Sequence, residues 1–165
     1  MSQSPTCPGC GLKGGNSDLA DSTTCHSSRY CWELYQELIL YTFSLGDNDF
    51  IHQHVIDAYT AQHSSPELKG IQISFALIGI YLYLEQHYSG RAVQQAHRRL
   101  AEKRKQWPTF IHSQPVTEIT VQNILFEINK DTFMASVYNW SEVVWQAWAA
   151  DHTTIIDLYD TSVDD

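Results

Sequence analysis

The sequence is poor in basic residues and lacks a long hydrophobic run. It has 10 Lys and Arg against 19 Asp and Glu, a formal net charge of −9 at pH 7. Proteins that grip phosphate backbones need an excess of cations, so this balance argues against a nucleic-acid partner. The longest apolar stretch, Ile71 to Leu84, is interrupted by Gln72 and Ser74, and a membrane-spanning helix needs about 20 apolar residues. We therefore expect no membrane partner.

Signals for export are also missing. The opening Met-Ser-Gln-Ser has neither the basic start nor the apolar stretch of a signal peptide. We therefore expect a cytoplasmic protein, in which the four cysteines would not form structural disulfides. The length of 165 residues corresponds to one ordinary domain, and five Trp, nine Tyr and six Phe supply a sizeable core. Global disorder is excluded.

Composition divides the chain into a head and a body. Residues 1–29 hold three of the four Cys and four of the eight Gly but few large apolar side chains. Such a segment cannot order itself by burying apolar surface, so it needs another form of cross-link. We predict a cysteine-rich head over 1–29, docked on the body through Cys31, and a helical bundle domain over 30–165.

The body has the apolar spacing of helices. From Tyr30 onward, large apolar residues recur three and four positions apart. We expect an all-α fold, a helical bundle of about five or six helices with a small loop-rich head. Ser65-Pro66-Glu67 predicts the start of the central helix, and Asp131 that of a long last helix with a break at 152–154. The predicted core residues are Leu38, Val55, Leu77, Leu84, Leu125, Val144 and Trp148.

The most specific motif is Cys7-Pro-Gly-Cys10-Gly11. Its two-residue spacer turns the chain, so that both thiolates can converge on one Zn²⁺ about 2.3 Å from each sulfur. Cys31 and Cys25 complete a predicted four-thiolate site, with His26 as the alternative to Cys25. This pattern predicts a zinc knuckle with Zn²⁺ as the cofactor.

Two other interpretations of the cysteines stay open. A redox dithiol needs a helix opening directly after its CxxC, and the glycines Gly11, Gly14 and Gly15 follow here instead. The remaining alternative is a set of free thiols on an unstructured end.

The second predicted helix suggests a rival, enzymatic hypothesis. At about 100° per residue, His52, Tyr59 and His63 share one face of it. In a small metal- or acid/base-dependent enzyme, Asp57 or His63 would be the base and Tyr59 a donor, with His152 as ligand or acid. The ordinary alternative is that these side chains are merely hydrogen-bonded. No HExxH, phosphate loop, G-x-S-x-G or dinucleotide fingerprint is present.

Together, these segments resemble a bacterial family of unknown function. The resemblance rests on the CPGCGL motif at 7–12, Cys31-Trp32, a VIDAYxxQH motif at 55–63 and a WQAW…H segment at 145–152, with Glu85 matching as well. A histidine that the family often carries in the third helix is absent, since this chain has Ser-Phe-Ala at 74–76. The resemblance implies a shared architecture and no activity. It favours His52, Asp57, His63 and His152 over the other histidines.

The sequence thus leaves two functions of different class. The first is a zinc-binding helical protein that serves as a binding or regulatory module for an unidentified protein or small molecule. The second is the small enzyme with a site between the second and last helices. The sequence specifies neither the substrate nor the oligomeric state.

Overall fold

The computed structural model describes residues 4–16, 18–20, 25–110 and 117–164. Within these ranges the chain forms helices and no strands, which confirms the predicted all-α fold. The elements are α1 (Arg29–Ser44), α2 (Ile51–Gln62), α3 (Gly70–Leu84), α4 (Gly90–Lys103), α5 (Val121–Phe126), α6 (Phe133–Ala147) and α7 (His152–Val163), with a 3₁₀ turn over Ala149–Asp151. No described helix combines the length and the apolar character needed to cross a bilayer.

The central helix is α3. It packs along α2 and also contacts α4, α6 and α7. Because almost all its side chains are apolar, it can be buried on several faces at once. Of the predicted core residues, all are buried in one cluster except Leu125, which is half-buried against it.

The start of α3 differs from its prediction. Ser65-Pro66-Glu67 does not open the helix but forms a turn, in which the Leu68 N–H donates to the Ser65 carbonyl over 3.0 Å. The helix begins at Gly70, and the Lys69 N–H donates to Oε1 of Gln72 over 3.1 Å. The signal was ambiguous because Ser followed by Pro also favours the first positions of a β-turn.

The long final helix predicted from the sequence is two helices. The first ends at Ala147 and the second begins at His152, so the break lies just before the predicted one. Trp148 is buried at the break, where its indole N–H donates to the Ala61 carbonyl over 3.1 Å. The break therefore lies where this indole packs against α2.

The head packs directly on the body. Isolated bridges pair Thr6 with Lys13 and Leu19 with Ser28, and Leu12 is buried in the same apolar cluster as the helices. The head also contacts the end of α2, where the His26 N–H donates to the His63 carbonyl over 2.7 Å.

Candidate metal centre

Three cysteines and one histidine converge where the head meets the bundle. The ligand atoms of Cys7, Cys10, Cys31 and His63 all lie within 4.8 Å of one another, and all four side chains are buried. Sγ of Cys10 is 3.8 Å from Sγ of Cys31, and the latter is 3.3 Å from Nε2 of His63. Four donors in a tetrahedron around zinc lie roughly 3.5–3.8 Å apart. The two separations of 3.8 and 3.3 Å are close to this spacing, so these four donors could hold one metal ion.

A tight turn presents the first two cysteines. The Cys7 N–H donates to the Leu12 carbonyl over 2.7 Å, and the Gly11 N–H donates to the Cys7 carbonyl over 2.9 Å. Gly11 has φ 78°, a left-handed conformation that glycine adopts without strain. The Ser28 N–H donates to Sγ of Cys7 over 3.4 Å. Amide donors of this kind stabilise a thiolate and fix its direction.

Cys31 lies in the first turn of α1. Its N–H donates to the hydroxyl of the N-cap residue Ser28 over 3.2 Å, which fixes the start of the helix. The positive end of the helix dipole favours an anion at this position. The Tyr59 hydroxyl donates to Sγ of Cys31 over 3.4 Å, so this sulfur has a side-chain donor as well.

His63 is the C-terminal cap of α2. Its imidazole ring is positioned by a hydrogen bond at Nδ1 and by stacking on one face. Nδ1 lies 2.8 Å from the Tyr59 carbonyl. Because a carbonyl can only accept, Nδ1 carries the proton and leaves the lone pair of Nε2 facing the sulfurs. The ring stacks on Tyr59 with centroids 3.9 Å apart, and Tyr59 stacks on Tyr35 at 3.8 Å.

The three thiols do not ionise equally. The pKa of the Cys7 thiol lies far below its ordinary value. The main cause is its hydrogen bond with Cys10, and the second is its hydrogen bond with Cys31. The hydrogen bonds of Cys31 to Cys10 and Cys7, together with burial, raise the pKa of Cys31 far above that value. The hydrogen bond with Cys31 lowers the pKa of Cys10, but the one with Cys7 and burial raise it more, to about 12. The protein groups alone thus favour one thiolate, stabilised by two thiols.

The cluster differs from the predicted ligand set in its fourth member. Cys7, Cys10 and Cys31 lie together, and the fourth candidate ligand beside them is His63, whereas Cys25 and His26 lie outside this group. His26 contributes its backbone instead, since its N–H donates to the His63 carbonyl over 2.7 Å. Cys25 is buried beside a separate cleft.

The sequence did contain a signal for His63. It ends the VIDAYxxQH motif of the second helix, and three Cys with one His are a ligand set of structural zinc sites. What the spacing does not reveal is that the end of α2 returns to the CPGC turn.

The remaining predicted enzyme residues have separate surroundings. Nδ1 of His52 is hydrogen-bonded to the Thr42 hydroxyl over 2.7 Å. The ring of His152 stacks on Trp145 with centroids 3.7 Å apart, and its Nε2 lies 2.7 Å from the Trp145 carbonyl. These contacts hold both rings within the helical packing. They match the alternative that such histidines are hydrogen-bonded structural residues.

Asp57 is buried on the side of α2 that faces α3. Its Oδ1 accepts a hydrogen bond of 3.0 Å from Nε2 of Gln53. Gly79 lies against the carboxylate, and a Cβ on Gly79 would collide with it. Burial raises the pKa of Asp57 well above its ordinary value. Asp57 thus lies beside α3 and is not one of the four candidate metal ligands.

Comparison with known proteins identifies the family of the chain and no relative of known function. The family of unknown function DUF5946 matches residues 5–149, a range that includes all four members of the cluster. No curated protein and no solved structure matches the chain.

Proposed function

Because the chain belongs to DUF5946, whose function is unknown, we propose a function from its own site: the protein binds one Zn²⁺ through three thiolates and one imidazole. The donors are Cys7, Cys10, Cys31 and His63. The observation that carries the proposal is their convergence, buried, within 4.8 Å of one another. Three sulfurs and one imidazole nitrogen at tetrahedral spacing are a donor set that zinc favours.

The donor set supports a structural zinc site rather than a catalytic one. A catalytic zinc keeps one coordination position for water or substrate, whereas four protein ligands fill the tetrahedron. All four side chains are buried, with exposed fractions between 0 and 2%. The metal would provide the charge that lets all three thiols ionise and would tie the head to the ends of α1 and α2.

The wider function that this arrangement supports is that of a binding or regulatory module. In it, the zinc fixes the head while the helical body supplies the recognition surface. The enzymatic alternative has less support, because Tyr59 and His63 are engaged at the cluster while His152 is engaged with Trp145.

Metal analysis of untagged protein tests the proposal. We expect about one zinc per chain in the wild type and in Cys25→Ser, and little zinc in Cys10→Ser, because thiolate ligands are not replaced by hydroxyls. Cys25 and Cys10 are both buried, which makes Cys25→Ser a matched control. Circular dichroism should show that both variants remain helical.

Two results would reject the zinc site. One is full zinc stoichiometry in Cys10→Ser, and the other is wild-type protein that does not bind zinc even when it is refolded with the metal. Equal loss of zinc in folded Cys25→Ser would reject the proposed choice of ligands.

A further inference from the structure

A second feature of the body is a cleft of about 270 Å³ between α4 and α7. Its polar lining consists of two cations of α4 and two tyrosines, one from α7 and one from the connection before α4: Arg99, Lys103, Tyr159 and Tyr88. Small and apolar side chains complete the lining: Ala96, Leu100, Ser162 and Val163. None of the four metal-cluster residues is among the described residues that line it.

The cleft is positively charged although the chain as a whole is acidic. The formal net charge of the chain is −9 at pH 7. Six of its ten Lys and Arg fall between Arg91 and Lys105, a range that covers most of α4. No Asp or Glu is among the described residues that line the cleft. A local surplus of positive charge without an acid in the lining attracts an anion.

The two cations are available to a ligand. Arg99 and Lys103 are four residues apart on α4, so their side chains project from the same side of the helix. Both residues are exposed, and neither forms an ion pair with a carboxylate in the described part of the chain. Lys103 donates one hydrogen bond, to the Ser162 carbonyl over 3.2 Å, and retains two further N–H groups.

The two tyrosine hydroxyls add uncharged donors. The hydroxyl oxygens of Tyr88 and Tyr159 are 3.5 Å apart, which is longer than the usual range of about 2.5–3.0 Å. Both can therefore donate to one acceptor oxygen that lies between them. Burial, and then the hydrogen bond with Tyr88, raise the pKa of Tyr159 to about 12, while the nearby charge of Arg99 opposes this rise. Tyr159 is therefore protonated near pH 7 and able to donate.

These donors match a phosphate monoester. Such a group carries nearly two negative charges at pH 7 and has three strong acceptor oxygens, which correspond to two cations and two hydroxyls. A phosphodiester has one charge and fewer free oxygens, so it uses the same donors less completely. The cleft is smaller than the pockets of drug-sized ligands, which measure roughly 300–1,000 Å³, so the organic part of the ligand is small.

We propose that this cleft binds the phosphate group of a small phosphate monoester. The phosphate oxygens accept hydrogen bonds from Arg99, from Lys103 and from the hydroxyls of Tyr88 and Tyr159. The inference gives the proposed module a ligand class, and it rests on that module role but not on zinc, because the cleft and the metal cluster share no described residue.

Isothermal titration at low salt and at a pH of about 7.5 tests the ligand class. Methyl phosphate is titrated beside dimethyl phosphate, which has one charge, and malonate, whose two charges lie on two carboxylates. We expect methyl phosphate to bind at least about fivefold more tightly than either. Wild-type protein that does not bind methyl phosphate up to about 10 mM, or binds the three probes equally, overturns the inference. Binding of a capped phosphoserine peptide at least about tenfold more tightly than methyl phosphate would overturn the small ligand in favour of a protein partner.

Two neighbouring residues of α4 provide matched variants. Arg99→Gln and Arg98→Gln each remove one positive charge from an exposed side chain, but only Arg99 lines the cleft. We expect Arg99→Gln to weaken methyl phosphate binding by about tenfold or more, and Arg98→Gln by less than about twofold. Equal weakening in both variants would show a general attraction to a basic helix and would overturn the cleft as the binding site.

A third variant tests the hydroxyls without changing the charge. Tyr159→Phe keeps the ring and removes one donor, so it should weaken methyl phosphate binding by about three- to thirtyfold. Tyr138→Phe is the control, because Tyr138 is also half-buried but lies outside the cleft. Unchanged affinity in folded Tyr159→Phe would reject the proposed position of the phosphate.

Zinc content measured on the same samples separates the two proposals. Methyl phosphate binding by folded protein without zinc would leave the cleft proposal standing while the metal proposal fails. One zinc per chain with no methyl phosphate binding would have the opposite meaning.

Discussion

At the scale of single residues, Tyr59 makes three contacts with members of the cluster. Its hydroxyl donates to Sγ of Cys31, and its ring lies between those of Tyr35 and His63. Its backbone carbonyl also orients the ring of His63. Tyr59 therefore positions two of the four proposed ligands. A substitution can remove its hydroxyl, which contacts Cys31, while the ring and the carbonyl that contact His63 remain.

Replacing Tyr59 by Phe should weaken zinc binding without abolishing it. The substitution removes the hydrogen bond to Cys31 but keeps the stacked ring and the carbonyl that holds His63. Loss of such a supporting contact typically lowers metal affinity by about 10- to 100-fold. Competition with a chromophoric chelator measures the affinity, and Tyr41→Phe serves as the control. An affinity unchanged from wild type would show that this hydroxyl does not support the metal.

His54 makes stability depend on pH. It is 4% exposed and stacks on Tyr83 with centroids 3.5 Å apart, and burial lowers its pKa to about 4. In the unfolded chain the imidazole has its ordinary pKa of about 6.5. Between these values the unfolded state binds the proton and the folded state does not, so stability falls as the pH drops from about 6.5 towards 4.

The variant His54→Phe should lose less stability in acid than the wild type. From pH 7 to 5, the free energy of unfolding should fall by about 2 kcal/mol less in the variant, since no imidazole remains to be protonated there. Urea unfolding at the two pH values measures this difference, with the exposed His87→Asn as the control. Parallel losses in wild type and variant would contradict a lowered pKa at His54.

At the scale of elements, the helices follow from apolar spacing, whereas some of their ends do not. The spacing identifies α3 as the central helix because only a buried helix can be apolar on almost every face. Its first residue could not be read from Ser65-Pro66-Glu67, since the same residues favour a turn. The break before α7 depends on where the Trp148 indole meets the Ala61 carbonyl, a contact between distant segments.

The candidate metal ligands were also predictable only in part from the sequence. Local spacing identified Cys7 and Cys10, because two thiolates on one turn meet a metal wherever that turn lies. His63 belongs to another element, 32 residues beyond Cys31. Only the packing of α2 against the head brings the two together.

The fit between the CPGC turn and the end of α2 can be tested at Gly9. A Cβ at this position would lie 2.5 Å from Cδ2 of His63 and 2.7 Å from the His26 carbonyl oxygen. Gly9→Ala should therefore push the turn away from His63 and lower zinc affinity by at least about tenfold, by analogy with other changes next to a metal ligand. The chelator competition again measures the effect.

Gly46→Ala is the control for this variant. Gly46 has φ 58°, and a Cβ on this residue would meet no atom within 4 Å, so alanine there introduces strain without a collision. It should lower the free energy of unfolding by about 1 kcal/mol and leave zinc affinity unchanged. Wild-type zinc affinity in Gly9→Ala would show that the close contact has no role in the site.

At the scale of the whole molecule, the head and the bundle are held by different forces. The helices bury one continuous apolar cluster. The head contributes little to it beyond Leu12 and its buried cysteines. Removal of a metal should therefore affect the two parts unequally.

Chelation or mild acid should release the head while most helices persist. Both treatments remove zinc, since protonated thiols and imidazole no longer bind it. Hydrogen exchange followed by mass spectrometry should show faster exchange over residues 4–16 and unchanged protection in α3 and α6. Uniform loss of protection would instead mean that the metal holds the entire fold, and no change anywhere would mean that it holds neither part.

The order of the four proposed ligands along the chain has a consequence for synthesis. All of them, up to His63, are synthesised before α3 and the later helices. At roughly 5–20 residues per second, synthesis reaches the end of α3 about 1–4 s after His63, and the later helices follow over several more seconds. Until α3 has emerged, α2 lacks the helix against which it packs in the finished protein. Zinc captured on the nascent chain would then precede the hydrophobic core, so that the metal supply acts on the first folding step rather than the last.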